Sequence, residues 1–234
     1  MPALEPFNIS ESAKRLLSPY PDADSLKDIY TRTTNSERLG IIRLWLTEGI
    51  PYAFKEYPLL YEELRDFIAK GMNIGAKEVT LVGSARTGYS LAKDHWGKPF
   101  GPRSDFDFVM ISDKYFGKVV EDYQKWTAEL RQRKVLPRSP DEMSIWLENI
   151  KYLDHKIPYG FIQVRLIPYS TSYPNVKRCL DTVWLANKKL EQSTMAPKIS
   201  GVSARVYASW KSCLRQLQIN FGTALGLQDF GKAL

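Results

Sequence analysis

Cysteine and histidine are scarce in this sequence, with two of each among 234 residues. Cys179 and Cys213 show no CxxC spacing, which argues against a zinc knuckle, and so low a count argues against a secreted disulfide scaffold. Both lie in amphipathic stretches, where a free cysteine behaves as a small hydrophobe. His95 and His155 are too few for a histidine-built metal site. Long apolar runs are missing too: nothing approaches the roughly 18 residues of a membrane span. The opening MPALEPFNISESAKRLL lacks a signal-peptide layout. Blocks of five like charges, internal repeats and low-complexity tracts are also missing. Together these absences predict a soluble, reduced, cytoplasmic protein with no membrane partner.

What is present fits a folded globular chain. Hydrophobic residues make up 44% and charged residues 25%, close to ordinary usage, so global disorder is not expected. The length suits one large domain, or one domain with a helical appendage, and can bury a core without staples. Net charge is +7 and the pI is about 9.2. A basic surface favours acidic partners such as nucleotides, nucleic acids or anionic lipids. The alternative is an evenly solvated basic surface. Arg86, Lys93, Lys98 and Arg103 lie between Ser84 and Asp105, where added positive charge would matter most.

Periodicity divides the chain into three parts. Residues 1–75 read as an N-terminal arm and helices. Four prolines and many polar residues make 1–35 a wrapping arm with one short helix near 10–17. Ser36 can cap a helix running to residue 48, and Pro58 opens another that ends near Gly71. Residues 76–170 read as a core, with strands over 78–82, 105–111 and 160–167 and helices over 115–133 and 139–152. Residues 171–234 read as a C-terminal helical region, with helices over 173–190 and about 202–219. The last rests on Val202, Val206, Trp210, Cys213 and Leu217. The tail FGTALGLQDFGKAL is read as loose or packed on a partner. The fold class expected is α+β: a small mixed-sheet core flanked by N- and C-terminal helices.

The most informative stretch is LVGSARTGYSLAKDHWGKPFGPRSDFDFVMI, residues 81–111. One apolar run stops at Gly83-Ser84. The next opens with Asp105 and Asp107, which as strand residues i and i+2 share a face about 7 Å apart. Two carboxylates aimed at one point suit Mg²⁺, which usually binds one or two carboxylates plus substrate phosphates. The Gly-Ser turn can offer N–H groups and a hydroxyl to those phosphates.

Gly83-Ser84, then Thr87-Gly88, then Ser104-Asp105-Phe106-Asp107-Phe108 on the next strand resembles the nucleotidyltransferase superfamily with a DNA polymerase beta-like fold. The motif covers about 30 residues, and the strand order read over 78–167 agrees with it. The resemblance implies a nucleotidyltransferase-like core that transfers a nucleoside monophosphate from a nucleoside triphosphate to a hydroxyl acceptor, with pyrophosphate leaving. The acceptor class is RNA, protein, nucleotide or small molecule. It further implies Asp105 and Asp107 as catalytic metal ligands for Mg²⁺ (or Mn²⁺), and Gly83 and Ser84 on the phosphates. Arg86 and Lys211 are the candidate charge stabilisers. Active members carry a third carboxylate on a neighbouring strand. GFIQVRLIPY, read as that strand, offers only Gln163 and Arg165, and Glu148 and Asp154 lie upstream of it. A catalytically silent module that binds a nucleotide or protein, in a toxin–antitoxin or anti-phage setting, is therefore the alternative. A third reading is an RNA-binding helical protein whose D-x-D is accidental.

Other signals stay open at this level. GSARTGYS lacks the Gly-Lys-[ST] of a P-loop. The long link between Gly88 and Asp105 is a lid, a specificity element or an inert excursion. Most tryptophans fall on or beside helical apolar stripes, but Trp96 sits in a polar loop and can stack on a base. Arg205, Lys211 and Arg215 are read on the last helix, as surface charge or with Lys211 or Arg205 reaching the triphosphate.

Overall fold

The computed structural model describes residues 11–12 and 18–227. In chain order they form α1 (Ala23–Arg32), α2 (Asn35–Ile41), α3 (Pro58–Met72), β1 (Val79–Val82), the single turn α4 (Ser84–Thr87), β2 (Asp105–Ile111), α5 (Asp113–Arg131), α6 (Pro140–Lys156), β3 (Phe161–Gln163), α7 (Pro174–Gln192), β4 (Gly201–Tyr207) and α8 (Trp210–Ala224). The four strands make one mixed sheet in the order β1-β2-β4-β3. β1 is antiparallel to β2, β4 is parallel to β2, and β3 is antiparallel to β4. A small mixed sheet thus sits within a largely helical chain. No helix among the described residues is long and apolar enough to cross a membrane.

Local chemistry explains the elements that the sequence announces. Pro58 opens α3 at a position where its fixed φ suits a helix and no N–H is needed. Tyr61, Leu64, Ile68 and Met72 form its buried stripe, and Asn73, at φ 56°, ends it. Ser139 caps α6 by accepting from the Glu142 N–H at 3.2 Å. The N-terminus of α7 has no local cap. Instead the buried carboxylate of Asp122, on α5, accepts from the N–H groups of Asn175 (2.7 Å) and Val176 (2.9 Å).

Three expectations need correction here. The arm read over 1–35 contains α1, capped by Asp22, which accepts from the N–H groups of Asp24 and Ser25. The short helix expected near 10–17 falls largely outside the described residues. The second helix is capped by Thr34 rather than Ser36, in a capping box with Glu37. It continues as a π-helical segment, Ile42–Thr47, closed by the Glu48 N–H on the Arg43 carbonyl at 3.1 Å. The strand expected over 160–167 is only Phe161–Gln163, followed by a tight turn over Val164–Leu166.

The largest correction concerns 202–219. Residues 201–207 are not helical but form β4, and Ser209 caps a new helix by accepting from the Ser212 N–H. The physical reason lies in the side chains. Ala204 and Val206 alternate with Ser203 and Arg205, a period of two, and Ala204 and Val206 are buried while Ser203 and Arg205 are not. β-Branched Val202 and Val206 with Tyr207 fit a pleated surface.

The sheet is covered on both faces, and this sets the direction of the two aspartates. Phe106, Phe108 and Met110 of β2 join Val79, Leu81, Ala204, Val206 and Ile162 in the main core, beneath buried residues of α3, α5, α6 and α7. Val109 and Ile111 face the other way, with Val82, Phe161 and Tyr207, against Cys213 of α8. Burying Phe106 and Phe108 stabilises the fold by about 2–3 kcal/mol each. It also locks the register, because a one-residue slip would send both phenyl rings to the opposite face and both aspartates into the core. A separate cluster that includes Leu26, Tyr30, Ile41, Ile42, Tyr89, Leu214 and Phe221 packs α1 and α2 against α8.

Candidate functional site

The sheet register builds one corner. Because β1 runs antiparallel to β2, its last residue, Val82, pairs with Asp107. The turn after β1 therefore lands beside the first residues of β2. Gly83 takes φ 71° and ψ −153°, a region essentially restricted to glycine. A Cβ placed there would stand 3.0 Å from Asp107 Oδ2. The sequence-predicted turn thus lies beside the second aspartate, with no space for a side chain between them.

β4 supplies the other wall. Across the parallel ladder Asp105 faces Gly201 and Asp107 faces Ser203. The Ser203 hydroxyl donates to Asp107 Oδ1 at 2.5 Å, and Arg205 Nη2 lies 3.1 Å from the same oxygen. Asp105 accepts from the Ser200 hydroxyl. Asp105 is exposed and Asp107 half-buried.

A cavity of about 460 Å³ opens next to this corner. Its polar wall holds Gly83, Ser84, Ser90, Lys93, Asp107 and Arg205, and Asn220 joins from α8. Its apolar wall comes from Leu46, in the π-helical segment, with Leu91 and with Leu217 and Phe221 of α8. π-Helical turns often occur at functional sites. The link after Gly88 is an ordered hairpin. Tyr89 bridges Pro99, Ser90 N–H donates to the Lys98 carbonyl at 2.8 Å, and the Tyr89 hydroxyl reaches the Pro21 carbonyl at 2.9 Å. That hairpin carries Ser90 and Lys93 to the cavity.

The other predicted residues stand elsewhere. Arg86 is buried and does not line the cavity. Its guanidinium donates to the carbonyls of Ile50 and Leu44, the latter at 3.3 Å. It thereby satisfies carbonyls at and beyond the end of the π-helical segment, the usual place for a cation near a helix C-terminus. Burial lowers its pKa from the ordinary arginine value. Lys211 is exposed in the first turn of α8, away from the cavity lining. Trp96 packs its ring 5.6 Å from that of Phe221, within the α1–α2–α8 cluster.

The strand beside the aspartates is β4, not GFIQVRLIPY. Gln163 pairs with Arg205 at the far side of β4, and Arg165 lies in the turn after β3. Asp154 is engaged by the Tyr123 hydroxyl at 2.7 Å. Sequence reasoning missed Ser203, Ser90 and Asn220, and it placed Arg205 on a helix. The signal for Ser203 and Arg205 was the two-residue alternation in VSARVY.

Asp105 and Asp107 share one sheet face, but of the pair only Asp107 lines the cavity, together with Ser84. Among the described residues no group of three or more His, Cys, Asp or Glu side chains gathers to hold a metal unaided. Asp105 and Asp107 are the carboxylates there that could hold a cation, and Mg²⁺ usually binds one or two carboxylates together with substrate phosphates. Comparison with known proteins finds no family model, no curated protein and no solved structure that matches this chain.

Proposed function

We propose that this chain is a magnesium-dependent nucleotidyltransferase that moves a nucleoside monophosphate from a nucleoside triphosphate to a hydroxyl acceptor. The observation that carries the reading is the close approach of the Gly83 turn to Asp107, with only 3.0 Å between a would-be Cβ and Oδ2. Glycine keeps the backbone of the turn uncovered beside the carboxylate, where a side chain would crowd Asp107. The adjoining cavity, about 460 Å³, is of the size that ligand sites use, roughly 300–1,000 Å³.

Each part of the corner then has a task. Asp105 and Asp107 would hold Mg²⁺, which when bound neutralises charge on the phosphates. Ser84 and the Gly83 backbone contact the triphosphate, and Lys93 and Arg205 add positive charge. Leu91, Leu217 and Leu46 offer an apolar bed to the nucleoside. In the transfer, the acceptor oxygen bonds to the α-phosphorus and the bond from that phosphorus to the bridging oxygen breaks. Pyrophosphate carries away the released charge, and the hydroxyl proton passes to water. Such chemistry depends mostly on positioning and electrostatics.

A second reading is a silent module that holds a nucleotide or a protein partner without turnover, in toxin–antitoxin or anti-phage defence. It is favoured by β4, which supplies Ser203 and Arg205 rather than an acid, and by the pairing of Arg205 with Asp107. The deciding experiment incubates the protein with each α-labelled triphosphate, Mg²⁺ or Mn²⁺, and total RNA or lysate. Labelled product that disappears in Asp107→Ala supports the transferase. Triphosphate binding that disappears in Asp107→Ala, with no product, supports the silent module. No product and no binding would overturn both.

A further inference from the structure

Helix α8 has two working faces. One, through Leu217, Asn220 and Phe221, lines the cavity already described. The other, through Ser212, Arg215 and Gln216, forms a groove of about 160 Å³ with the C-terminal turn of α6 and the residues after it, His155, Lys156 and Tyr159. No carboxylate lines this groove.

Arg215 and Lys156 form no ion pair with an acid among the described residues. Arg32, Arg65, Lys70, Lys177 and Lys188 each pair with an acid three or four residues away on the same helix. Arg215 and Lys156 lie over aromatic rings, as Lys55, Arg65, Lys177 and Lys189 do elsewhere. The Arg215 guanidinium carbon lies 4.5 Å from the Tyr159 ring centre, and Lys156 Nζ lies 5.9 Å from that of Tyr152. His155 stands edge-on to Tyr159, centroids 5.6 Å apart. Tyr159, which lines the groove, is 48% exposed and keeps area open to a ligand, whereas Tyr152 lies outside the lining. The fifteen residues of α8 include no acid.

We propose that this groove binds single-stranded nucleic acid, with Tyr159 stacking on an unpaired base and Arg215 and Lys156 contacting the flanking phosphates. Aromatic surface interleaved with positive charge is what a single strand needs, because its bases offer open faces and its backbone offers regular negative charge. Duplex bases are already stacked and cannot reach Tyr159. An acidic peptide would use the cations but leave the rings idle. The inference stands apart from the corner at Asp105 and Asp107, since it uses none of those residues.

The test is a fluorescence-anisotropy titration of the full chain with a short labelled oligouridylate across a salt series. Arg215→Gln combined with Lys156→Gln is expected to weaken binding and to make the log–log salt slope shallower by about 1.4, two phosphate contacts at roughly 0.7 each. Tyr159→Ala is expected to lose about five- to a hundredfold in affinity, the stacking of one base, with the slope unchanged. Arg215→Lys, which keeps charge and fold, should retain the slope. Asp105→Asn with Asp107→Asn should leave binding unchanged, which separates this site from the corner. The proposal is overturned if the double variant binds like the wild type, if a duplex competes as well as the single strand, or if a polyglutamate peptide displaces the oligonucleotide with equal potency.

Discussion

Arg205 and Asp107 meet across the β2–β4 ladder, guanidinium to carboxylate, at 3.1 Å. Their side chains are 33% and 28% exposed, so the attraction is partly screened and worth on the order of 1 kcal/mol. The pair matters less for stability than for what it occupies. Asp107 Oδ1 is shared between Ser203 and Arg205, and a divalent cation approaching that oxygen competes with a resident positive charge.

We predict that Arg205→Ala raises the affinity of the corner for Mg²⁺ alone by several-fold and lowers its affinity for a triphosphate. Calorimetric titration with MgCl₂, and separately with a nucleoside triphosphate, reads both. Mg²⁺ affinity unchanged by the substitution would show that the arginine is not a competitor.

Gly83→Ala should act at the same corner by geometry. At φ 71° and ψ −153° a side chain costs about 1–3 kcal/mol, and the new methyl would press on Asp107 Oδ2. The urea midpoint is expected to fall modestly while triphosphate binding is lost. A variant that keeps wild-type triphosphate affinity would remove Gly83 from the site.

Asp122→Ala tests the cap that α5 provides for α7. The substitution leaves the Asn175 and Val176 N–H groups without their partner, and orphaning a buried donor costs about 1–3 kcal/mol. A loss of about 3 kcal/mol in chemical denaturation is expected. A loss below 1 kcal/mol would mean that water replaces the carboxylate.

The two thiols set a pH dependence. Burial pushes both Cys179 and Cys213 up to about 12, so neither is a nucleophile near neutrality. A thiol reagent at pH 8 should modify neither in the folded chain and both in urea. The folded state holds these protons more tightly than the unfolded chain. Their contribution is therefore complete below the unfolded value, about 8.5, and is lost as pH rises toward 12. The urea midpoint should fall between pH 8 and pH 10, and less steeply in a Cys179→Ala, Cys213→Ala protein.

Legibility in the sequence followed the range of the interaction. β2 could be read because Phe and Asp alternate within five residues, and α3 because Pro58 and a regular apolar stripe mark it. The placing of the Gly83 turn beside Asp107 comes from the β1–β2 pairing, which the sequence reading did not specify. α1 was hidden by the prolines around it, although Asp22 caps it through contacts only two and three residues away. β4 was masked because Val202, Val206, Trp210, Cys213 and Leu217 fit a helical stripe, and only the cap at Ser209 separates strand from helix. With β4 misread, Arg205 appeared on a helix, and the ion pair with Asp107 had no visible origin. The Asp122 cap spans more than fifty residues of sequence, and no local pattern announces it.

β4, one of the two inner strands of the sheet, is also the last strand to be made. A ribosome must deliver everything through Tyr207 before β2 gains its second neighbour. Until then a strand of phenylalanine, valine and isoleucine waits with one edge open, the arrangement that recruits foreign strands. The hazardous interval in the life of this protein is therefore its own synthesis: a chain stopped at Ser200 is expected to clump on release where the full chain does not, and Asp105–Ile111 is the segment a chaperone would be called on to shield.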